Sequence, residues 1–211
     1  MPVREGAGGA CEVSLQASTI RFERAPPGAD PRYHFAINVP RGSIAAAAAW
    51  IEDRHQLLAF HGDPDEEEGA TVVRFDRGAS ALYFLDGGGN VAELIDNDHL
   101  ANDSDAPFGP ESLLEIAEIG LAAADTRATR AVIQEALSAR VLWGGDDDGS
   151  LLTAIGDDHG VVIVAPTGRG WIPIGLPAQP LPTTIVAAGP RSQAVEIAEG
   201  PYTIRAVAGR W

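Results

Sequence analysis

The 211-residue chain is 45% apolar and 21% charged, which is ordinary for a globular protein, and its single cysteine, Cys11, excludes an intramolecular disulfide and any cysteine-cluster metal site. Thirty acidic residues stand against fifteen basic ones for a formal net charge of −15; the basic residues are all arginine and scattered singly. Such a surface repels nucleic acid and anionic membranes. No window approaches the roughly eighteen consecutive apolar residues of a membrane span, and Met1–Gly6 lacks the apolar stretch of a secretory signal. No membrane association and a cytoplasmic location are therefore expected. The absence of lysine beside abundant Ala, Gly, Asp and Arg suits a high-GC genome, and the acidity also suits a salt-rich cytoplasm; neither bears on chemistry.

In chain order, the first ten residues are Gly/Ala-rich and expected to be poorly ordered. Glu12–Arg24 alternates apolar and polar residues and predicts one or two strands, followed by a turn-rich linker over Ala25–Pro31. Tyr33–Val39 predicts a strand. Ser43–His55 predicts a helix of strong helix formers with Ser43 as N-cap. After the acidic loop Gly62–Gly69 come strands at Thr71–Phe75, Ser80–Leu85 and Val91–Ile95, the last two joined by the tight turn Asp86–Asn90. Asn97–Pro110 is a connector.

The pattern then restarts. Glu115–Ala124 predicts a strand, Thr126–Ala139 a helix capped by Asp125, and Arg140–Trp143, Leu151–Ile155 and Val161–Ala165 three more strands. Gly144–Gly149 is a second acidic loop. A proline-rich stretch from Trp171 leads to Thr183–Ala188 and Tyr202–Val207, which predict a closing hairpin. Strand–helix–strand–strand–strand thus occurs twice, an internal repeat.

Specific strings carry a resemblance. Ala81-Leu-Tyr-Phe-Leu-Asp-Gly-Gly-Gly-Asn-Val-Ala-Glu-Leu94 resembles the hairpin of the vicinal oxygen chelate superfamily: an aromatic strand, then Asp-Pro-x-Gly-Asn, then a strand carrying Glu-Leu. Glycine stands here in place of the usual proline. His34-Phe-Ala-Ile-Asn-Val39, with Trp50 in the helix after it, is similar to the family's opening strand and helix, and Glu118-Ile-Gly-Leu-Ala-Ala-Ala-Asp125 resembles that strand again. The family includes glyoxalase I, extradiol dioxygenases and fosfomycin- and bleomycin-resistance proteins. The resemblance covers about residues 33–166 and implies an α+β chain of paired βαβββ modules forming a curved, cup-like mixed sheet. The expected organisation is a truncated leading module over 1–32, complete modules over 33–100 and 111–170, and a C-terminal β extension over 171–211.

Alternation along the strands places Phe35, Ile37 and Val39 on the helix face, with His34, Ala36 and Asn38 opposite. Glu93 lies between Val91 and Ile95 on one face, and Glu118 shares a face with Gly120 and Ala122. By the resemblance, His34, Glu93 and Glu118 occupy three of the family's four metal-ligand positions, and the fourth falls at Ile163, which cannot ligate. His34 and Glu93 are then ligands, and Glu118 a third ligand or the catalytic base. The structural alternatives are a satisfied buried imidazole for His34, an arginine ion pair for Glu93 and an exposed strand-end carboxylate for Glu118.

One histidine and two carboxylates suit a divalent Fe, Mn, Ni or Zn ion. Tyr83, Arg169 and Trp171 are expected to line the cup mouth against a small-molecule substrate, or else to pack in the core or rim. The remaining histidines, His55, His61, His99 and His159, are expected to be solvated. Asp63–Glu68 and Asp146–Asp148 lack the spacing of a calcium loop. The expected function is a metal-dependent enzyme of lyase or dioxygenase type, dimeric as relatives often are. The alternatives are a non-catalytic small-molecule-binding protein resembling the bleomycin-resistance members, or a scaffold whose cup is filled by side chains.

Overall fold

The computed structural model describes residues 2–61, 67–145 and 152–209. The two acidic loops expected at Gly62–Gly69 and Gly144–Gly149 fall largely outside the described residues. The chain divides into two units. The first comprises Met1–Glu118, Asp158–Gly160 and Trp171–Ile174, and the second Ile119–Asp157, Val161–Gly170 and Gly175–Trp211.

The first unit opens on an antiparallel three-stranded sheet of β1 (Val3–Glu5), β2 (Cys11–Ser14) and β3 (Thr19–Phe22). This corrects the expectation of a poorly ordered start: Val3 is paired with Val13, and Cys11 stands between Glu5 and Phe22 in the ladder. The β1 residues are all exposed, so backbone pairing rather than an apolar pattern makes this strand.

Next come β4 (His34–Val39), α1 (Ile44–Glu52), β5 (Val72–Phe75), β6 (Ala79–Leu85) and β7 (Val91–Asn97). They are hydrogen-bonded in the order β5-β6-β7-β4, and β8 (Glu115–Ala123) follows β4. Glu115–Glu118 of β8 belong to the first unit. Strands β4 and β7 are parallel, and β6 and β7 antiparallel. The registers line up in rows: Ile37 pairs with Leu94 and Leu94 with Leu82, all three buried, and α1 packs against β6 and β7 through its buried Ala47 and Ile51. The adjacent row, Ala36–Glu93–Tyr83, alternates to the opposite face.

Helix α1 is held differently from the sequence expectation. The Ser43 side chain makes no capping bond, and its buried Oγ has no hydrogen-bond partner among the described residues. Instead Asp96, from β7, accepts from the Gly42 amide at 3.0 Å and the Ile44 amide at 3.3 Å. A carboxylate offers two acceptor oxygens and a full charge to the positive end of the helix, where a hydroxyl offers one oxygen and no charge.

In the second unit the remainder of β8 is followed by β11 (Val161–Pro166), β10 (Thr153–Gly156) and β9 (Arg140–Gly144), with α2 (Thr126–Leu137) between β8 and β9 in sequence. Asp125 caps α2 as expected, accepting from the Ala128 amide at 2.9 Å. After the two-residue strands β12 (Gly170–Trp171) and β13 (Leu176–Pro177) come β14 (Thr183–Gly189), β15 (Gln193–Ile197) and β16 (Tyr202–Ala208).

The expected closing hairpin is not formed. Strands β14 and β16 pair in parallel, Thr183 with Tyr202 through Gly189 with Ala208, and β15 runs antiparallel on the other side of β16. A parallel pair needs a crossover instead of a tight turn, and the segment containing β15 supplies it. Ile133, Ala136 and Leu137 of α2 pack with Leu121, Ile155, Val162, Val164, Tyr202 and Ile204 in one buried cluster. The element order strand–helix–three strands is therefore present twice, as expected for an α+β chain of paired βαβββ modules.

Candidate metal centre

His34, Glu93 and Glu118 come together within the first unit, each contributing a ligand atom within 4.8 Å of the others. His34 opens β4, Glu93 is central in β7, and Glu118 lies within β8 on the other side of β4. Three strands that are neighbours in the sheet thus each present one donor. The residues are 5%, 2% and 8% exposed, so the solvated reading of Glu118 does not hold.

His34 Nδ1 lies 3.3 Å from the Val91 carbonyl, its neighbour in the β4–β7 register. A carbonyl only accepts, so this contact holds the ring hydrogen on Nδ1 and turns the Nε2 lone pair away from it. Nε2 faces Glu93 Oε2 at 3.5 Å and Glu118 Oε2 at 3.7 Å. These separations exceed normal hydrogen-bond lengths. They are close to the roughly 3.4 Å between two donors that share an ion at about 2.1 Å in tetrahedral arrangement.

Among the described residues, His34 and no arginine stands within 4.0 Å of the Glu93 and Glu118 carboxylate oxygens, so the arginine pairing considered for Glu93 is not formed. Two buried carboxylates and a lone-pair nitrogen, converging without an arginine, form a donor set that fits a divalent ion.

The electrostatics agree. Burial, and next the nearby Glu118 charge, push the Glu93 carboxyl well above the usual glutamate range, against an opposing pull from the Tyr83 hydrogen bond and from Arg77. A positive ion would relieve both causes. The Tyr83 hydroxyl, pushed well above the ordinary tyrosine range by burial and by Glu93 and Glu118, stays a protonated donor.

Of the residues expected to line the mouth, Tyr83 is instead 1% exposed and directly across the ladder from Glu93, donating to its Oε1 at 2.8 Å. Trp171 is buried, with its ring 5.0 Å from the His34 ring and tilted by 30°. Arg169 belongs to the second unit, where its exposed guanidinium donates to the Gly170 carbonyl. Ile163, at the expected fourth ligand position, is 1% exposed and apolar. His55, His61, His99 and His159 are exposed, as expected. The Val91 carbonyl was invisible to sequence reasoning, because a backbone acceptor carries no residue signal.

No protein-family model and no curated protein matches the chain. Solved structures similar to it include a glyoxalase I mutant from Zea mays, at 15% identity over 79% of this chain and 57% of that one, with a TM-score of 0.45. Methylmalonyl-CoA epimerase from Mycobacterium tuberculosis is 11% identical over 68% of this chain and 92% of that one, with a TM-score of 0.36. The Streptomyces coelicolor methylmalonyl-CoA epimerase is 16% identical over 65% and 99%, also with a TM-score of 0.36. The chain spans about half the length of the glyoxalase I structures it matches. With β5-β6-β7-β4 followed by β8 in one unit and β8-β11-β10-β9 in the other, the chain has a paired βαβββ fold, the arrangement that the sequence resemblance implies.

Proposed function

We propose that the protein is a divalent-metal-dependent enzyme of the vicinal oxygen chelate type, of lyase or dioxygenase class, acting on a small oxygenated molecule. The observation that carries this reading is the convergence of His34 Nε2, Glu93 Oε2 and Glu118 Oε2 in a buried cluster where, among the described residues, neither carboxylate is salt-bridged to an arginine. His34 and Glu93 would hold the ion, with Glu118 as a third ligand or as the base. Iron, manganese, nickel and zinc suit this donor set. When bound, such an ion polarises a pair of adjacent substrate oxygens and stabilises negative charge as it develops on them.

The chain's own residues do the rest. The Val91 carbonyl fixes the His34 tautomer, so that Nε2 is available as a donor. Burial of the three groups excludes water and strengthens their interaction with charge. Glu118 carries a carboxylate in the same cluster; as base it would accept a proton at Oε2, the oxygen 3.7 Å from His34. A homodimer is the expected assembly.

Metal analysis of protein purified without chelator tests the reading. Near-stoichiometric transition metal that disappears in a His34→Ala/Glu93→Gln variant is the expected result, and it would justify a screen of diols and α-hydroxyketones. No metal after incubation with Mn²⁺, Ni²⁺ or Zn²⁺ would sink it. One observation favours a second reading, a non-catalytic small-molecule binder: Trp171 is buried against the His34 ring, which narrows the room beside that ligand. Ligand binding that persists in the metal-free double variant would select that reading.

A further inference from the structure

We propose that Tyr83 is a positioning residue that divides the two oxygens of Glu93 between two tasks, holding Oε1 with its phenol so that Glu93 presents Oε2 alone to the ion. This rests on the metal-dependent reading above. The register sets Tyr83 of β6 directly opposite Glu93 of β7, which points both side chains to the same face. The hydroxyl donates to Oε1 at 2.8 Å, while it is Oε2 that lies 3.5 Å from His34 Nε2. The tyrosine ring is itself held, meeting the buried Phe60 edge-on at 5.7 Å between centroids.

A phenylalanine would fill the same space. A hydroxyl in a position 1% exposed costs free energy unless it is bonded, and among the described residues its bond is to Glu93. Packing accounts for the ring and leaves the oxygen to be explained by the carboxylate. The chemical consequence follows from the carboxylate's two binding modes. With Oε1 committed to the phenol, Glu93 gives one oxygen, which suits compact Mn²⁺ or Zn²⁺ coordination and leaves a position for a substrate oxygen. With Oε1 free, the carboxylate is able to bind through both oxygens, the mode that larger Ca²⁺ accommodates. Tyr83 would thus act on ion selectivity through Glu93, without touching the ion.

The test is titration of metal-free wild type and Tyr83→Phe with Mn²⁺ and Ca²⁺ by calorimetry, together with the visible spectrum of the Co²⁺-loaded proteins. The expected result is Mn²⁺ affinity lower by about 10- to 100-fold in the variant, as for other partners of ligating carboxylates. The preference for Mn²⁺ over Ca²⁺ should narrow, and the Co²⁺ absorption band should shift. A variant with wild-type affinities and an unshifted band overturns the proposal while leaving the metal-dependent reading intact. A wild type that binds no metal overturns both.

If Tyr83→Phe does not fold, the native sequence labelled with 3-fluorotyrosine keeps the hydroxyl and reports on it. Addition of Zn²⁺ should move the fluorine resonance of Tyr83 and leave those of Tyr33 and Tyr202 in place. An unmoved Tyr83 signal in Zn²⁺-loaded protein overturns the proposal.

Discussion

In the first module the last two strands set Tyr83 against Glu93; in the second, the corresponding pair is Ala154 against Ile163. Both pairs are almost fully buried. One contains a carboxylate and a phenol, the other only hydrocarbon. The second unit has its own buried tyrosine, Tyr202, but that hydroxyl donates to the Ala122 carbonyl at 2.6 Å and accepts from the Ala122 amide at 3.1 Å. It satisfies a strand backbone, whereas Tyr83 satisfies a carboxylate. The helices differ in the same sense: α2 is capped locally by Asp125, and α1 by Asp96 from a strand far along the chain. A repeated backbone pattern therefore tolerates opposite choices at equivalent positions. One module is organised around a charged cluster that costs stability, and the other around an apolar cluster that supplies it.

The comparison breaks most readily in the apolar module. Ile133→Ala removes a fully buried side chain from the α2 cluster and should cost about 2–5 kcal/mol in denaturant unfolding. A loss below about 1 kcal/mol, the level of an Ile→Val change, would mean that this cluster does not carry the second unit.

In the charged module the expected effect depends on pH. The Glu93 carboxyl is raised in the folded state, first by burial and then by Glu118, so the folded protein holds this proton more tightly than the unfolded chain does. Its contribution is fully present below the ordinary glutamate range and is lost as pH rises through the raised folded value. Metal-free wild type should therefore lose stability relative to metal-free Glu93→Gln as pH climbs above that range, because glutamine still accepts from Tyr83 and never ionises. Melting temperatures of the two proteins that run parallel from acid to neutral pH would refute the assigned cause.

The two caps give the smallest differences. Asp96→Ala frees two amides at a buried position and should cost about 2 kcal/mol by thermal or denaturant unfolding. Asp125→Ala, which loses one exposed capping bond, should cost about 1 kcal/mol. Equal losses would show that the distant carboxylate is no better a cap than the local one.

Local sequence determined the repeated order of elements, because alternation marks β4 and β6–β8 and helix formers mark α1 and α2 whatever surrounds them. The family resemblance marked His34, Glu93 and Glu118 as candidates, and for Glu93 local sequence added a reason, since a carboxylate between Val91 and Ile95 needs a partner once buried. Strand β1, with its exposed residues, and β15, with Gln193 and Glu196 in a short run, carried too little pattern to read; ladder pairing makes them strands. The parallel pairing of β14 and β16 was equally hidden, since period-two alternation is the same for either direction. Tertiary structure alone decided that Asp96 caps α1 in place of Ser43, and that the Tyr83 hydroxyl serves Glu93 instead of lining a mouth. Periodicity says which face a side chain takes, but only the register across strands says what it meets there, and the chemistry of the cluster depends on that meeting.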